Sequence, residues 1–402
     1  MKVTEIETIR VDEFPNILHV RVHTDVGLVG LGETSFGPRA VEAYLHESVA
    51  PYLLGKDPLR IEEHAMHLGG FVGFAGTGVE SRGRSAVDLA LWDLFGKVTG
   101  QPLYQLLGGA SRDDIRAYNT CAGYQYVRAT APGGGLASSA WGVGGEPEGP
   151  WEDLDGFLHR PVELAQSLLD MDITAMKIWP FDAYAEKTRG HGISNADLAA
   201  GLRPFREIRD AFGDRMELMV ELHSMWDVPT AIRIARALEP LEPSWIEDPI
   251  RMDALDSLAR VADATTIPVT ASETIGGRWG FRDLINSGAV SIVMFDPVWV
   301  GGITESRHII GMAQAAHLPI AVHDCLGPVE FTVACHLARH APNTLIQESV
   351  RAFWNGWYRE IVTHVPAVEG GMLRAPSTPG IGTELLADHL ARPDVRRESS
   401  TN

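Results

Sequence analysis

From about Asp114 onward the chain repeats one pattern eight times: a short β-branched or apolar run, then an amphipathic helical stretch. The runs are IRAYNT, ITAMKIW, MELMVEL, PSWIED, IPVTASE, SIVMFD, PIAVHD and TLIQESV. Between them lie segments such as VPTAIRIARALEPL, ALDSLARVADAT and ITESRHIIGMAQAAH, whose apolar residues recur every three to four positions. An open doubly wound sheet uses the same alternation, but eight near-equal units favour closure into a (β/α)8-type (modified TIM) barrel.

The chain before this array has a different texture. VTEIETIRV alternates, and LHVRVHTDVGLVGLGE gives two further alternating runs around Asp25-Val26-Gly27, a hairpin signal. From Arg39 to about Gly100 the spacing is helical, with Gly100 as a C-cap. The expected organisation is therefore an α+β unit over residues 1–113, a barrel over 114–355 and a C-terminal segment over 356–402. The Gly-, Ser- and Pro-rich stretch from Tyr124 to about Asp155 interrupts the rhythm after the first barrel strand, where it is either a lid or a passive insertion. Residues 366–390 read as irregular, and the polar end RPDVRRESSTN as a frayed tail.

Composition excludes several functions. The 402 residues carry 34 Lys and Arg against 53 Asp and Glu, a formal charge of −19 that repels nucleic acid and anionic membranes. A small anionic substrate then needs a local cation, which a divalent metal supplies. Cys121, Cys325 and Cys335 are odd in number and lack CxxC spacing, which fits a reducing compartment, with cytoplasm as the default. The N-terminus has no apolar signal-peptide core, and no run of about 18 apolar residues occurs. GxGxxG, GxxxxGK[ST] and GxSxG elements are also lacking, so neither nucleotide binding nor serine hydrolysis has its motif.

The chemistry is carried by position. An ionisable residue closes each of seven successive barrel runs: Lys177, Glu221, Glu247, Glu273, Asp296, His323 and Glu348. A single ionisable group is costly at the end of an apolar strand unless it is paired or bound to metal, and at the C-terminal mouth of a barrel seven of them converge on one site. Glu221, Glu247 and Glu273 on consecutive strands form an all-oxygen set suited to Mg²⁺; Zn²⁺ would call for HxH or HExxH spacing, which is missing. His223, two residues past Glu221, points to the same side. Asp296 and His323 end adjacent strands, where a carboxylate fixes one imidazole nitrogen and leaves the other as a base. Lys177 either neutralises the three glutamates or contacts a substrate carboxylate.

With these residues in place the chain resembles the enolase superfamily, specifically its mandelate racemase branch and, within that, the galactonate dehydratase-like acid-sugar dehydratases. The likeness runs through VRVHTDVGLVGLGET, SAVDLALWDLFGKVTGQPLYQLLGG, WIEDP, ASET, DPVWVGGITE, HDCLGPV and PGIG, and so covers nearly the whole chain. The resemblance implies that residues 1–113 and the C-terminal segment form a capping domain that selects substrate through residues 12–18 and about 68–82. It also implies Mg²⁺ on Glu221, Glu247 and Glu273, His323 with Asp296 as the general base, Glu348 hydrogen-bonded to an enediolate, and His223 as the general acid. Two positions depart from the family pattern. Trp179 stands where the racemases carry the second lysine of KxK, and Glu221 stands where many relatives have Asp.

The implied reaction removes the proton beside a carboxylate of a sugar acid and eliminates the 3-hydroxyl, giving a 2-keto-3-deoxy acid. The alternatives are an epimerase, racemase or cycloisomerase of the same branch, and a metal-binding regulatory relative with negligible turnover. A small sugar-acid substrate and self-association into a homo-oligomer are expected. Which sugar acid is used depends on hydroxyl stereochemistry, which strand spacing does not encode.

Overall fold

The computed structural model describes residues 1–402 except 70–75, 125, 127–141, 146, 148, 325 and 402. Thirteen strands occur among the described residues. Three lie in the N-terminal part: β1 (Val3–Val11), β2 (Ile17–Thr24) and β3 (Val29–Ser35). Eight follow in the repeating region: β4 (Ile115–Thr120), β5 (Ala175–Ile178), β6 (Glu217–Glu221), β7 (Trp245–Glu247), β8 (Val269–Ala271), β9 (Ile292–Phe295), β10 (Ile320–Val322) and β11 (Thr344–Ser349). The last two are β12 (Met372–Leu373) and β13 (Val395–Thr401).

Strands β4 to β11 pair in parallel in sequence order, and β11 closes on β4 through Gln347↔Ala117, Glu348↔Tyr118 and Ser349↔Asn119. The eight predicted runs are these eight strands. They are short, three to six residues, and the interior is filled by a separate layer of side chains: Tyr118, Ala175, Met219, Trp245, Ile292, Met294, Ala321 and Ile346. Within it the Tyr118 and Trp245 rings meet edge to face at 5.3 Å.

This layer also explains where the ionisable residues point. Side chains two apart along a strand share a face. Lys177 follows Ala175 by two, Glu221 follows Met219, Glu247 follows Trp245, Asp296 follows Met294, His323 follows Ala321 and Glu348 follows Ile346. Six of the eight plugs are thus topped by an ionisable group one layer nearer the mouth.

The cap is a four-stranded antiparallel sheet in the order β13-β1-β2-β3. The helix Val79–Thr99 lies on it, with Gly100 as its left-handed C-cap at φ 68. Contact is close because β3 carries glycine where the helix crosses. A Cβ on Gly32 would sit 1.8 Å from the Ala86 carbonyl oxygen, and one on Gly30 2.1 Å from that of Ala90. Gly32→Ala is therefore expected to destabilise the cap by about 3 kcal/mol, seen as a lower thermal midpoint; an unchanged midpoint would contradict this packing.

The C-terminal segment differs from expectation. Its polar end is not frayed: β13 pairs with β1 over seven residues, from Glu5↔Thr401 to Val11↔Val395. A burial pattern could not reveal this edge strand, because its side chains are mostly exposed and its stability comes from backbone hydrogen bonds and ion pairs such as Arg397–Glu7 at 3.2 Å. Before reaching the cap the segment also places β12 antiparallel against the start of β4. Residues 125, 127–141, 146 and 148 of the 124–155 insertion and 70–75 of the 68–82 stretch fall outside the described residues. The insertion's far end is anchored, since Asp153 receives three hydrogen bonds of 2.7–3.0 Å from buried Arg351. Among the described residues no helix is long and apolar enough to cross a membrane.

Candidate active site

The structure brings all eight residues singled out from the sequence to one end of the barrel. Glu221, Glu247 and Glu273 offer carboxylate oxygens that lie within 4.8 Å of one another. Glu221 and Glu247 end their strands inside the barrel and are buried; Glu273, two residues beyond β8, is partly exposed. Buried like charges at this spacing disturb one another. Burial and then the charge of Glu221 push the Glu247 carboxyl well above the usual carboxylate range. Burial also opposes ionisation of Glu273, but neighbouring His323, with His223 and Lys177 behind it, pulls its pKa down to about 2. Three oxygen donors with no thiolate or imidazole among them fit a hard divalent cation such as Mg²⁺.

Lys177 is the cation already built into this cluster. Its Nζ contacts Glu247 Oε1 and lies 3.0 Å from Glu348 Oε1 and 3.6 Å from Glu221 Oε2. Burial disfavours the ammonium, yet Glu247, Glu348 and Glu221 outweigh it and hold Lys177 protonated well above its ordinary pKa. Of the two roles left open for Lys177, neutralisation is the one these contacts favour.

Two histidine–carboxylate pairs stand at the acid cluster. His323 Nδ1 is 2.8 Å from Asp296 Oδ2, and its Nε2 faces the cluster at 2.8 Å from Glu273 Oε2. The Trp299 ring flanks this imidazole at 5.4 Å. Asp296, His323 and Glu330 also have donor atoms within 4.8 Å of one another, but there His323 Nδ1 is engaged by Asp296. His223, in a left-handed backbone conformation at φ 46, gives its backbone N–H to Glu221 Oε1 at 2.6 Å and meets Asp182 Oδ2 with Nδ1 at 2.8 Å. Burial alone would lower its pKa; Asp182 and Glu221 overcome this and raise it to about 9. Trp179 packs edge to face on His223 at 5.7 Å.

Sequence reasoning missed several of these partners. Asp182 opens a short helix, Asp182–Thr188, in the insertion after β5, where a lone acid carries no spacing signal. Thr120 Oγ1 donates to Glu348 Oε1 while the Asp324 N–H donates to Glu348 Oε2 at 2.8 Å, so both oxygens of Glu348 are held. The cap also grips the barrel: Trp299 Nε1 donates to Ser35 Oγ at 2.9 Å, and Ser81 Oγ donates to the Trp299 carbonyl at 2.6 Å. Neither serine belongs to a motif visible in one strand or helix.

Known proteins resemble this architecture throughout. A family model described as "Enolase C-terminal domain-like" matches residues 160–389, and one described as "Mandelate racemase / muconate lactonizing enzyme, N-terminal domain" matches residues 8–108. A D-galactonate dehydratase of Ralstonia nicotianae is 32% identical over 399 residues, covering 96% of this chain and 92% of the relative. A second D-galactonate dehydratase, from Ralstonia pickettii, is 31% identical with the same coverage. Among solved structures, an enolase of the mandelate racemase subgroup from Agrobacterium tumefaciens is 49% identical with a TM-score of 0.88, covering 100% of this chain and 99% of its own. An enolase protein from Sargasso Sea environmental sequencing is 38% identical, also with a TM-score of 0.88, over 100% and 99% of the two chains.

Proposed function

Because the chain belongs to the mandelate racemase/muconate lactonizing family of the enolase superfamily, we propose that it is a Mg²⁺-dependent acid-sugar dehydratase, a hydro-lyase that converts an aldonate or aldarate to its 2-keto-3-deoxy acid. Magnesium is characteristic of the family, and Glu221, Glu247 and Glu273 are the residues that would hold it here. The observation that carries the proposal is the presence of two oriented imidazoles at one carboxylate cluster, His323 on Asp296 and His223 on Asp182.

An α-proton beside a carboxylate is far too weakly acidic for a histidine unless the developing dianion is stabilised in advance. Bound Mg²⁺ supplies positive charge for that purpose. In this reading His323 Nε2, which lies against Glu273 at 2.8 Å, turns to the substrate and takes the C2 proton, while Asp296 at Nδ1 holds the ring in the orientation that aims Nε2 at the cluster. Glu348, fixed by Thr120 and the Asp324 N–H, meets the developing enediolate. His223, protonated and held by Asp182, gives its proton to the departing 3-hydroxyl, which leaves as water. Tautomerisation of the resulting enol returns a proton to C3. Trp179 at the position of the racemases' second lysine supports elimination over two-base racemisation.

Incubation with a library of mono- and diacid sugars is expected to yield a product that reacts as a 2-keto acid. Epimerised or cyclised products would favour an isomerase, and failure of every acid sugar to exchange its C2 hydrogen with deuterated water would favour a regulatory role. The division of labour is tested separately. Asp182→Asn is expected to slow elimination by about 100-fold while C2 exchange persists; equal loss of both would show that His223 does not act at the second step.

A further inference from the structure

The mouth of the barrel is acidic, and Lys177 is engaged by three carboxylates. Arg82, near the start of the helix Val79–Thr99, brings a second cation to it from the cap. Its Nε donates to the Thr77 carbonyl at 3.0 Å and its Nη1 to the Ser35 carbonyl. The guanidinium lies over the Trp299 ring at 4.6 Å and over Phe36 at 5.7 Å. Among the described residues no carboxylate forms an ion pair with it, and Nη2 has no partner yet is not enclosed.

A sheltered guanidinium whose hydrogen bonds reach only neutral carbonyls has donors left over for a carboxylate brought by a ligand. Burial lowers its pKa, and the charges facing it are Asp296, Glu273 and Glu330, which belong to the catalytic mouth. Trp299 links the two places. One side of the contact chain is the guanidinium at 4.6 Å and the other is the His323 ring at 5.4 Å, so Arg82 stands no more than about 10 Å from the imidazole. The terminal carbons of an extended six-carbon sugar acid are roughly 6 Å apart, given bonds of about 1.5 Å. A substrate with C2 at His323 therefore has its far end within reach of this arginine.

We infer that Arg82 is a specificity-determining residue that pairs with a second carboxylate at the end of the substrate remote from the glutamate cluster, so that sugar diacids are selected over mono-acids. The inference rests on the dehydratase reading and names its substrate class. A guanidinium presents planar donors matched to a carboxylate, and the pair is stronger where water is partly excluded. A terminal hydroxymethyl group offers no charge and leaves Arg82 without a carboxylate in direct contact. The same fixed geometry sets Ser35, Trp299 and Arg82 as one unit joining cap to base, so the distal contact and the His323 environment form together.

The test is equilibrium binding by calorimetry in the Mg²⁺-loaded His323→Asn protein, which removes turnover. The probes are galactarate against galactonate and glucarate against gluconate. At least one diacid is expected to bind about tenfold or more tighter than its mono-acid partner. Arg82→Gln should remove that difference, and Arg82→Lys, which keeps the charge without the planar fork, should restore part of it. Far-UV circular dichroism and the thermal midpoint verify that each variant is folded. Equal affinities for diacid and mono-acid, or a preference that survives in Arg82→Gln, would overturn the inference. Failure of the parent reading is recognised separately, as lack of 2-keto acid formation by the unsubstituted enzyme.

Discussion

In the His323→Asn protein, exchange of the substrate C2 hydrogen with deuterated water is expected to fall by about 100- to 10,000-fold, while Mg²⁺ still binds. Asparagine keeps a polar group that can reach Asp296 but has no nitrogen able to take a proton. The imidazole stands 2.8 Å from both Asp296 and Glu273, so its ring orientation is fixed and its Nε2 is turned toward the glutamate cluster. A supported base of this kind contributes two to four orders of magnitude in rate. Exchange measured by proton NMR at the unsubstituted rate would remove His323 from the role.

Glu247→Gln should weaken Mg²⁺ by at least about 100-fold in calorimetry. Glu247 is the middle of three consecutive strand ends and touches Lys177, and the Trp245 Nε1–H donates to its Oε2 at 3.0 Å. The variant replaces a carboxylate oxygen with an amide and removes one of the charges that Lys177 balances. Lys177 retains Glu348 and Glu221, so the barrel is expected to stay folded and the loss to register in metal affinity. Unchanged affinity would place the metal elsewhere.

The barrel was legible because its physics is local. A three- to six-residue strand buried on both faces needs an apolar run, and eight of them with helical spacers leave few ways to close. The glutamates were legible for the same reason, since period-two geometry sends Glu221, Glu247 and Glu348 into the lumen above Met219, Trp245 and Ile346. What escaped notice depends on contacts across the fold. Asp182 reaches His223 over 41 residues, and Thr120 reaches Glu348 over 228, with no periodic signal at Asp182 or Thr120. β13 hid in a polar tail because edge pairing uses the backbone, and Arg82 hid in a helix whose other face reads as cap core. The cap's grip on Trp299 likewise joins residues more than 200 positions apart.

The proposed chemistry requires one cation held jointly by three glutamates at neighbouring strand ends. Anomalous diffraction from a crystal soaked in Mn²⁺, which shares the hard-oxygen preference of Mg²⁺, locates that ion directly. The predicted result is a single strong peak bounded by the carboxylates of Glu221, Glu247 and Glu273. A peak that touches none of them, or three glutamates turned into separate surroundings with the ion elsewhere, would contradict it.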